Sequence, residues 1–491
     1  MEIPRNRVTR RQLLKWMGLT AATAALAACA PAPAPAPTQA PAEATQAPAE
    51  ATQAPKATAE VKPTETPIPP APTATPLPTA APRIYGSGKT EVVVWYQDWD
   101  GANKIMKFAA EEYIKTHADV TLNLQAIDYG NLLTKMLPSI ASGTEGDVLN
   151  MYTDWVVATD IRQVFLDITD TAGGYQSWAD KMWKAAFEDV DAPEGKVFYL
   201  PWLAGIRGAV LTFNTDHAKE ANIDYLNLKT YEDVIDAGVK MTKKDGDKLT
   251  RAGYSPRSSQ YQLLWSLIWM LGGNFYDRES GKWSHSTPEG EAAAQMIYDL
   301  YWKYGTCDYA LFTDEYQAVS QQLVSIWGDG AWTMGVQTDV AKVPCDNIVL
   351  PKLANAKEYV LYPQHMAGFG LSKRLAKQED KLKAALDFAT LVVGPDALIQ
   401  AFDFYSGVCM TKAVYEDPRI EKVKYGPVSK RVATTMWPVA RYPRDHVADQ
   451  SQAATELDRA MRKEISIKEA LANMDAYLNE QEAAARERIG I

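Results

Sequence analysis

Glu91-Val92-Val93-Val94-Trp95-Tyr96-Gln97-Asp98-Trp99 is the stretch that decides the fold. Val92 to Trp95 is short, apolar and β-branched, as a strand covered on both faces must be. From Ala102 to Thr116, Ile105, Phe108, Ala109 and Tyr113 fall on one stripe of an amphipathic helix. Val120 to Ala126 alternates apolar and polar residues and reads as a second strand. Tyr129 to Ser142 reads as a helix stopped by Gly143, and Asp147 to Met151 as a third strand. The βαβαβ order predicts a parallel sheet covered by helices, and so an α/β fold.

The pattern continues toward the C-terminus. Val210 to Asn214 is strand-like. Thr230 with Asp233 three residues on predicts a capped helix over Tyr231 to Thr242. Thr287-Pro288 predicts the start of a helix running to Tyr304, and Ser466 to Gln481 a closing helix. Ala331 to Met334 alternates and predicts a strand, with Trp332 as a core residue.

On the N-terminal side the chemistry changes. Arg5, Arg7, Arg10, Arg11 and Lys15 precede an uncharged run, Trp16 to Ala28, and small residues stand just before Cys29. This is the layout of a secretory signal over residues 1–28. Its apolar run, about 13 residues, is too short to span a bilayer. Thr9-Arg10-Arg11-Gln12-Leu13-Leu14 resembles a twin-arginine export signal, and Leu26-Ala27-Ala28-Cys29 resembles a bacterial lipobox. That resemblance implies lipid on Cys29 and attachment to the outer face of the cell membrane. Residues 29–88 are dominated by Pro, Ala, Thr and Glu, and PAEATQA occurs twice in succession from Pro41. So few apolar side chains cannot offset the entropy of ordering the segment, which predicts an extended spacer.

Composition limits the remainder. Removing residues 1–28 takes five basic and one acidic residue from totals of 51 and 61, leaving 46 against 60, or −14. An acidic body argues against nucleic acid as a partner. Cys307, Cys345 and Cys409 allow either one disulfide or three free thiols. His117, His217, His285, His365 and His446 lack metal or triad spacing, and no G-x-S-x-G or P-loop segment is present. Neither an enzyme nor a cofactor or metal site is therefore expected.

From Thr90 onward the body resembles the extracellular solute-binding proteins of ATP-driven (ABC) importers, specifically the sugar-binding group. The resemblance rests on short segments in family order. They include Ile140-Ala141-Ser142-Gly143 with Asp147-Val148, Leu166-Asp167-Ile168-Thr169, and Gly195-Lys196-Val197-Phe198-Tyr199-Leu200-Pro201. Phe213-Asn214-Thr215-Asp216, Thr230-Tyr231-Glu232-Asp233, Gly328 to Met334 and Phe388 to Pro395 complete the series. The sequence departs from the pattern at Gly146, where the family carries Pro, and after Gly335, where a stacking Trp is missing. The resemblance implies two α/β lobes of the type II periplasmic-binding-protein kind, at 89–204 plus 350–404 and at 205–349 plus 405–491. Crossovers are expected at Leu203-Gly205, Ile348-Pro351 and Phe404-Val408, with the ligand cleft between the lobes.

A sugar presents C–H faces to aromatic rings and hydroxyl rims to carboxylates and amides. On that basis the candidate contacts are Trp95, Gln97, Asp98, Trp99, Asp154, Trp155, Trp202, Arg207, Trp265, Gln337, Met366, Gly368 and Trp437. Met366 and Gly368 lie in a segment, Met366 to Gly370, that resembles the family's small-residue loop, where the resemblance implies that backbone approaches ligand. Arg207 fits a ligand contact and an interlobe ion pair equally well. The expected partners are a carbohydrate, membrane permease subunits and, through Cys29, the membrane, with the body a monomer. A polyamine, a metal or another small solute is the alternative ligand class, and a secreted glycoside hydrolase the more remote one.

Overall fold

The computed structural model describes residues 81–152, 164–187, 195–442 and 451–489. The signal and the spacer up to residue 80, with Arg10, Arg11 and Cys29, lie outside these, as do Asp154 and Trp155. The last part of the expected spacer, residues 81–88, is instead part of the body and carries a strand paired into the sheet.

An unexpected short strand, β1 (Arg83–Tyr85), comes first; the expected βαβαβ order then follows as β2 (Thr90–Gln97), α1 (Asp100–Tyr113), β3 (Val120–Ile127), α2 (Tyr129–Ser142) and β4 (Val148–Tyr152). In β2, Val92, Val94, Trp95 and Tyr96 are all buried, so both faces are covered. Ile105, Met106, Ala109 and Tyr113 form the inner stripe of α1. In α2 the Asp128 side chain caps the first turn, and Gly143 ends the helix at φ 69°, a left-handed conformation that glycine adopts without strain.

Seven strands make the larger sheet, in the order β1-β3-β2-β4-β9-β5-β10, where β5 is Tyr199–Arg207, β9 is Gln364–Leu371 and β10 is Val408–Cys409. Parallel pairing holds for β2 with β3 and β2 with β4. The later strands β9, β5 and β10 all pair antiparallel. The sheet is therefore mixed, where a mainly parallel one was expected. A second sheet, β7-β6-β8, combines β6 (Val210–Asn214), β7 (Ile326–Trp327) and β8 (Cys345–Val349), antiparallel throughout.

The chain first passes from the larger sheet to the smaller between Arg207 and Val210, a few residues beyond Leu203-Gly205. Ile206 there has φ 51° and Gly208 φ 82°. A β-branched residue at positive φ is strained. Between β6 and β7 run α3 (Tyr231–Met241), α4 (Gln260–Met270) and α5 (Pro288–Trp302). The predicted caps are present, including the reciprocal Thr230–Asp233 box and Thr287 ahead of Pro288.

Two local expectations are corrected. Ala331 to Met334 is not a strand: Trp332–Val336 is a helix, α6. Gly330 turns the chain at φ 112°, and the Thr333 hydroxyl donates to its carbonyl at 2.8 Å, closing a helical turn. The Met366–Gly370 segment is not a loop but lies within β9. A Cβ at Gly368 would stand 2.3 Å from the Tyr199 ring, and one at Gly370 2.3 Å from Phe165, so these glycines let rings lie flat on the strand. The three described cysteines are free thiols. Among the described residues no helix is long and apolar enough to cross a membrane.

Candidate functional site

Gln97, Asp98 and Trp99 leave the C-terminal end of β2, where open α/β sheets place ligands. The Trp99 ring lies 5.2 Å from Tyr405 and 6.5 Å from Trp202, tilted 42° and 46°. Trp202 is fully buried and packs on Phe369 at 5.0 Å, whereas Trp99 and Tyr405 are half-buried. The result is an aromatic stack rising from the core to the surface. Two glycines make room for it. A Cβ at Gly101 would sit 1.9 Å from the Trp99 ring, and one at Gly407 2.3 Å from the Tyr405 ring. Burial pushes the Tyr405 phenol far above its usual pKa, so it stays a hydrogen-bond donor. The Trp202 indole N–H is buried and unpartnered.

The strand end that presents Trp99 also carries a set of polar groups. The Tyr152 hydroxyl donates to Gln97 Oε1. The Gln97 backbone N–H donates to Asn150 Oδ1 at 3.3 Å, and Asn150 Nδ2 donates to the Gly368 carbonyl at 3.0 Å. This ties β2, β4 and β9 together at one level. Asp98 is exposed and accepts from Asn103 Nδ2 at 2.8 Å.

A second group lies where β5 gives way to the smaller sheet. Arg207 Nη2 lies 2.8 Å from Asp329 Oδ1, an ion pair lacking hydrogen-bond alignment at that oxygen. Burial raises the Asp329 carboxyl pKa, and Arg207 opposes that rise. Trp332 and Tyr316 stack at 6.2 Å and 25°. The Gly205 carbonyl accepts from Ala331 N at 2.8 Å. The Ala331 carbonyl in turn accepts from Ser406 Oγ at 2.5 Å and Asn347 Nδ2 at 2.8 Å. Ser406 follows Tyr405, and Ala331 precedes Trp332. This junction brings both aromatic pairs and the Arg207–Asp329 pair to the place where the chain changes sheets.

Other predicted residues lie elsewhere. Trp95 is 4% exposed, with Lys135 Nζ 4.0 Å above its ring. Trp265 donates to His285 Nε2 at 2.9 Å within an aromatic core cluster. Gln337 is buried, accepting from Ser320 Oγ at 2.8 Å and donating to the Tyr316 carbonyl at 3.3 Å. Trp437 is buried after the helix Gly426–Met436. Gly368 serves Tyr199, and Met366 contributes backbone to β9. Tyr405, Tyr316 and the half-buried Trp332 were not among the candidates. Tyr405 falls inside the expected crossover Phe404-Val408, and its following Ser-Gly was the available signal. Among the described residues no acidic, His or Cys cluster could hold a metal. The arrangement offers stacking faces, phenols, a carboxamide and an ion pair, which are recognition groups.

The fold matches solved structures. One is the cyclic α-maltosyl-1,6-maltose binding protein from Arthrobacter globiformis, with a TM-score of 0.64 and 18% identity over 80% of this chain and 99% of that one. The lactose-binding protein of Rhizobium radiobacter is 27% identical over 199 residues, 39% of this chain and 44% of the relative. The arabinooligosaccharide-binding protein of Halalkalibacterium halodurans is 26% identical over 121 residues, 25% of each chain. The chain thus spans less than half the length of either relative. Residues 98–399, more than half of the chain, match the family model for bacterial extracellular solute-binding proteins. By that match the chain belongs to the bacterial extracellular solute-binding protein family.

Proposed function

We propose that this protein is the solute-capturing subunit of an ABC importer, that its solute is a carbohydrate, and that lipid on Cys29 holds it at the membrane. The observation that carries the carbohydrate reading is the Trp99–Tyr405 pair. Two half-buried rings rest on glycine platforms over the buried Trp202, and the same strand end carries the hydrogen-bonded Gln97 and Tyr152. Flat rings beside amide and phenol groups suit a pyranose, whose C–H face stacks while its hydroxyls hydrogen-bond. Relatives named for lactose and for arabinooligosaccharide binding support the same class.

Capture proceeds by closure of two lobes, 89–204 plus 350–404 and 205–349 plus 405–491, about the passages that carry Ile206 and Gly208. Ligand bridging both lobes favours the closed form, which docks on the permease. Hydrolysis of ATP belongs to the importer's inner subunit, and the binding protein turns over nothing. Calorimetry with lactose, arabinotriose and maltotriose tests the reading. Trp99→Ala is expected to weaken binding about tenfold or more, since an aromatic stack contributes ~1 kcal/mol beyond its buried area. No heat from any sugar, with heat from spermidine instead, would move the solute to a cation. Incorporation of labelled palmitate that survives Cys29→Ala would remove the anchor from the proposal.

A further inference from the structure

β1 is a three-residue edge strand, paired antiparallel to β3 with Arg83 opposite Leu124. Its Arg83 side chain reaches inward across β3 to β2 and α1. Nη1 donates to Asn103 Oδ1 at 2.7 Å and to the Tyr96 hydroxyl at 3.0 Å. The Tyr96 hydroxyl donates to the same Asn103 Oδ1 at 2.9 Å. Asn103 Nδ2 then donates to Asp98 Oδ1 at 2.8 Å, and its backbone N–H to the Trp99 carbonyl at 2.9 Å. Asn103 thus clamps the turn that presents Trp99.

A carboxamide can bind in two orientations related by a flip. Two donors on Oδ1 leave only one of them. With the oxygen engaged by Arg83 and Tyr96, the NH2 must point at Asp98. Tyr96 alone cannot enforce this, because a hydroxyl accepts from an NH2 as readily as it donates to an oxygen. Arg83 has only donors and the Asp98 carboxylate only acceptors, so the two fix the amide from its opposite ends, and Arg83 ties the oxygen end to the sheet. Burial lifts the Tyr96 phenol to about 12, so it too remains a donor at neutral pH.

We propose that Arg83 is a positioning residue for the candidate site: through Asn103 it fixes the Asp98–Trp99 turn, so the first strand of the body sets the pose of the half-buried stacking ring. The inference rests on the reading of Trp99 as a ligand contact, but its structural part is testable without ligand. The Trp99 contribution to emission is the difference between the protein and its Trp99→Phe variant. Acrylamide quenching of that difference is compared in full-length wild-type, Arg83→Ala, Arg83→Lys and Asn103→Asp backgrounds. Asn103→Asp keeps an acceptor for Arg83 and Tyr96 but replaces the NH2 facing Asp98 with a second carboxylate oxygen.

Arg83→Ala and Asn103→Asp are expected to lose protection of the Trp99 component, and Arg83→Lys, which restores a donor, to recover part of it. Emission from the Trp265 cluster should not change, which separates repositioning from general loosening. If Trp99-dependent quenching in both Arg83→Ala and Asn103→Asp equals wild type, the proposal is overturned. Should Arg83→Ala fail to fold, Asn103→Asp alone decides. With lactose as probe, the same two variants are expected to bind about threefold to tenfold more weakly, the range for one lost hydrogen bond to an ordered group. Failure of lactose to bind wild type would count against the carbohydrate reading, while the quenching result would still decide the role of Arg83.

Discussion

Gly101 and Gly407 show how residue-level sterics shape the site. Neither has a positive φ, so the requirement comes from the rings above them. Gly101→Ala is expected to displace Trp99 and weaken sugar binding about tenfold, a loss of ~1.4 kcal/mol, measured by calorimetry. Unchanged affinity would show that the pose of Trp99 does not matter. At this scale the sequence was partly legible. Trp99 could be found because an aromatic residue follows a buried strand end. Trp95, four residues earlier, could not be separated from it, because a strand buried on both faces removes the alternation that would show which way a side chain points. Tyr405 was not found because its ring meets Trp99 across some 300 residues of chain, a pairing no local pattern encodes.

Helices were the most legible elements, since their caps are written locally. Thr230 and Asp233 close a reciprocal box, and Thr230→Ala is expected to cost about 1 kcal/mol of stability, read as a shifted urea midpoint. Strand direction was less legible, because β9, β5 and β10 add to the sheet through long connections. The turn after Gly330 misled because Ala331 to Met334 alternates by chance while Thr333 closes a helical turn. The C-terminal helix Ile467–Ile489 is fastened by Asp475, which accepts from His285 N at 2.5 Å, His285 Nδ1 at 2.8 Å and Ser286 N at 2.8 Å. Burial by itself would raise this carboxyl, but those donors outweigh it and hold the pKa below the usual value. Such a group stabilises the fold above its unfolded pKa, near 3.9. That contribution is lost as pH falls through the lower folded value. Thermal unfolding of wild type should therefore fall more steeply below about pH 4 than that of Asp475→Asn. Parallel acid limbs would show that the contacts of Asp475 carry no net proton linkage.

For the whole molecule, binding and stability are linked. The described body belongs to one compact unit of roughly 410 residues. A sugar at a hundred times its dissociation constant adds ~2.7 kcal/mol, which for a unit of this size raises the unfolding midpoint by about 3 °C. Differential scanning fluorimetry checks this, and a sugar that binds by calorimetry without raising the midpoint would contradict single-unit unfolding. The chain leaves the larger sheet after β5 and returns for β9 and β10, the last strand ending at Cys409. The antiparallel neighbours of β5 are therefore made only after more than 150 further residues have been synthesised. A nascent chain paused in that interval carries β4 and β5 as open edges, the kind of surface that captures another strand. Long-range pairing of this sort also slows folding. The same threading that brings Tyr405 over Trp99 thus makes the finished sheet a late event, and makes the ribosome-bound or stalled chain the form most prone to aggregate.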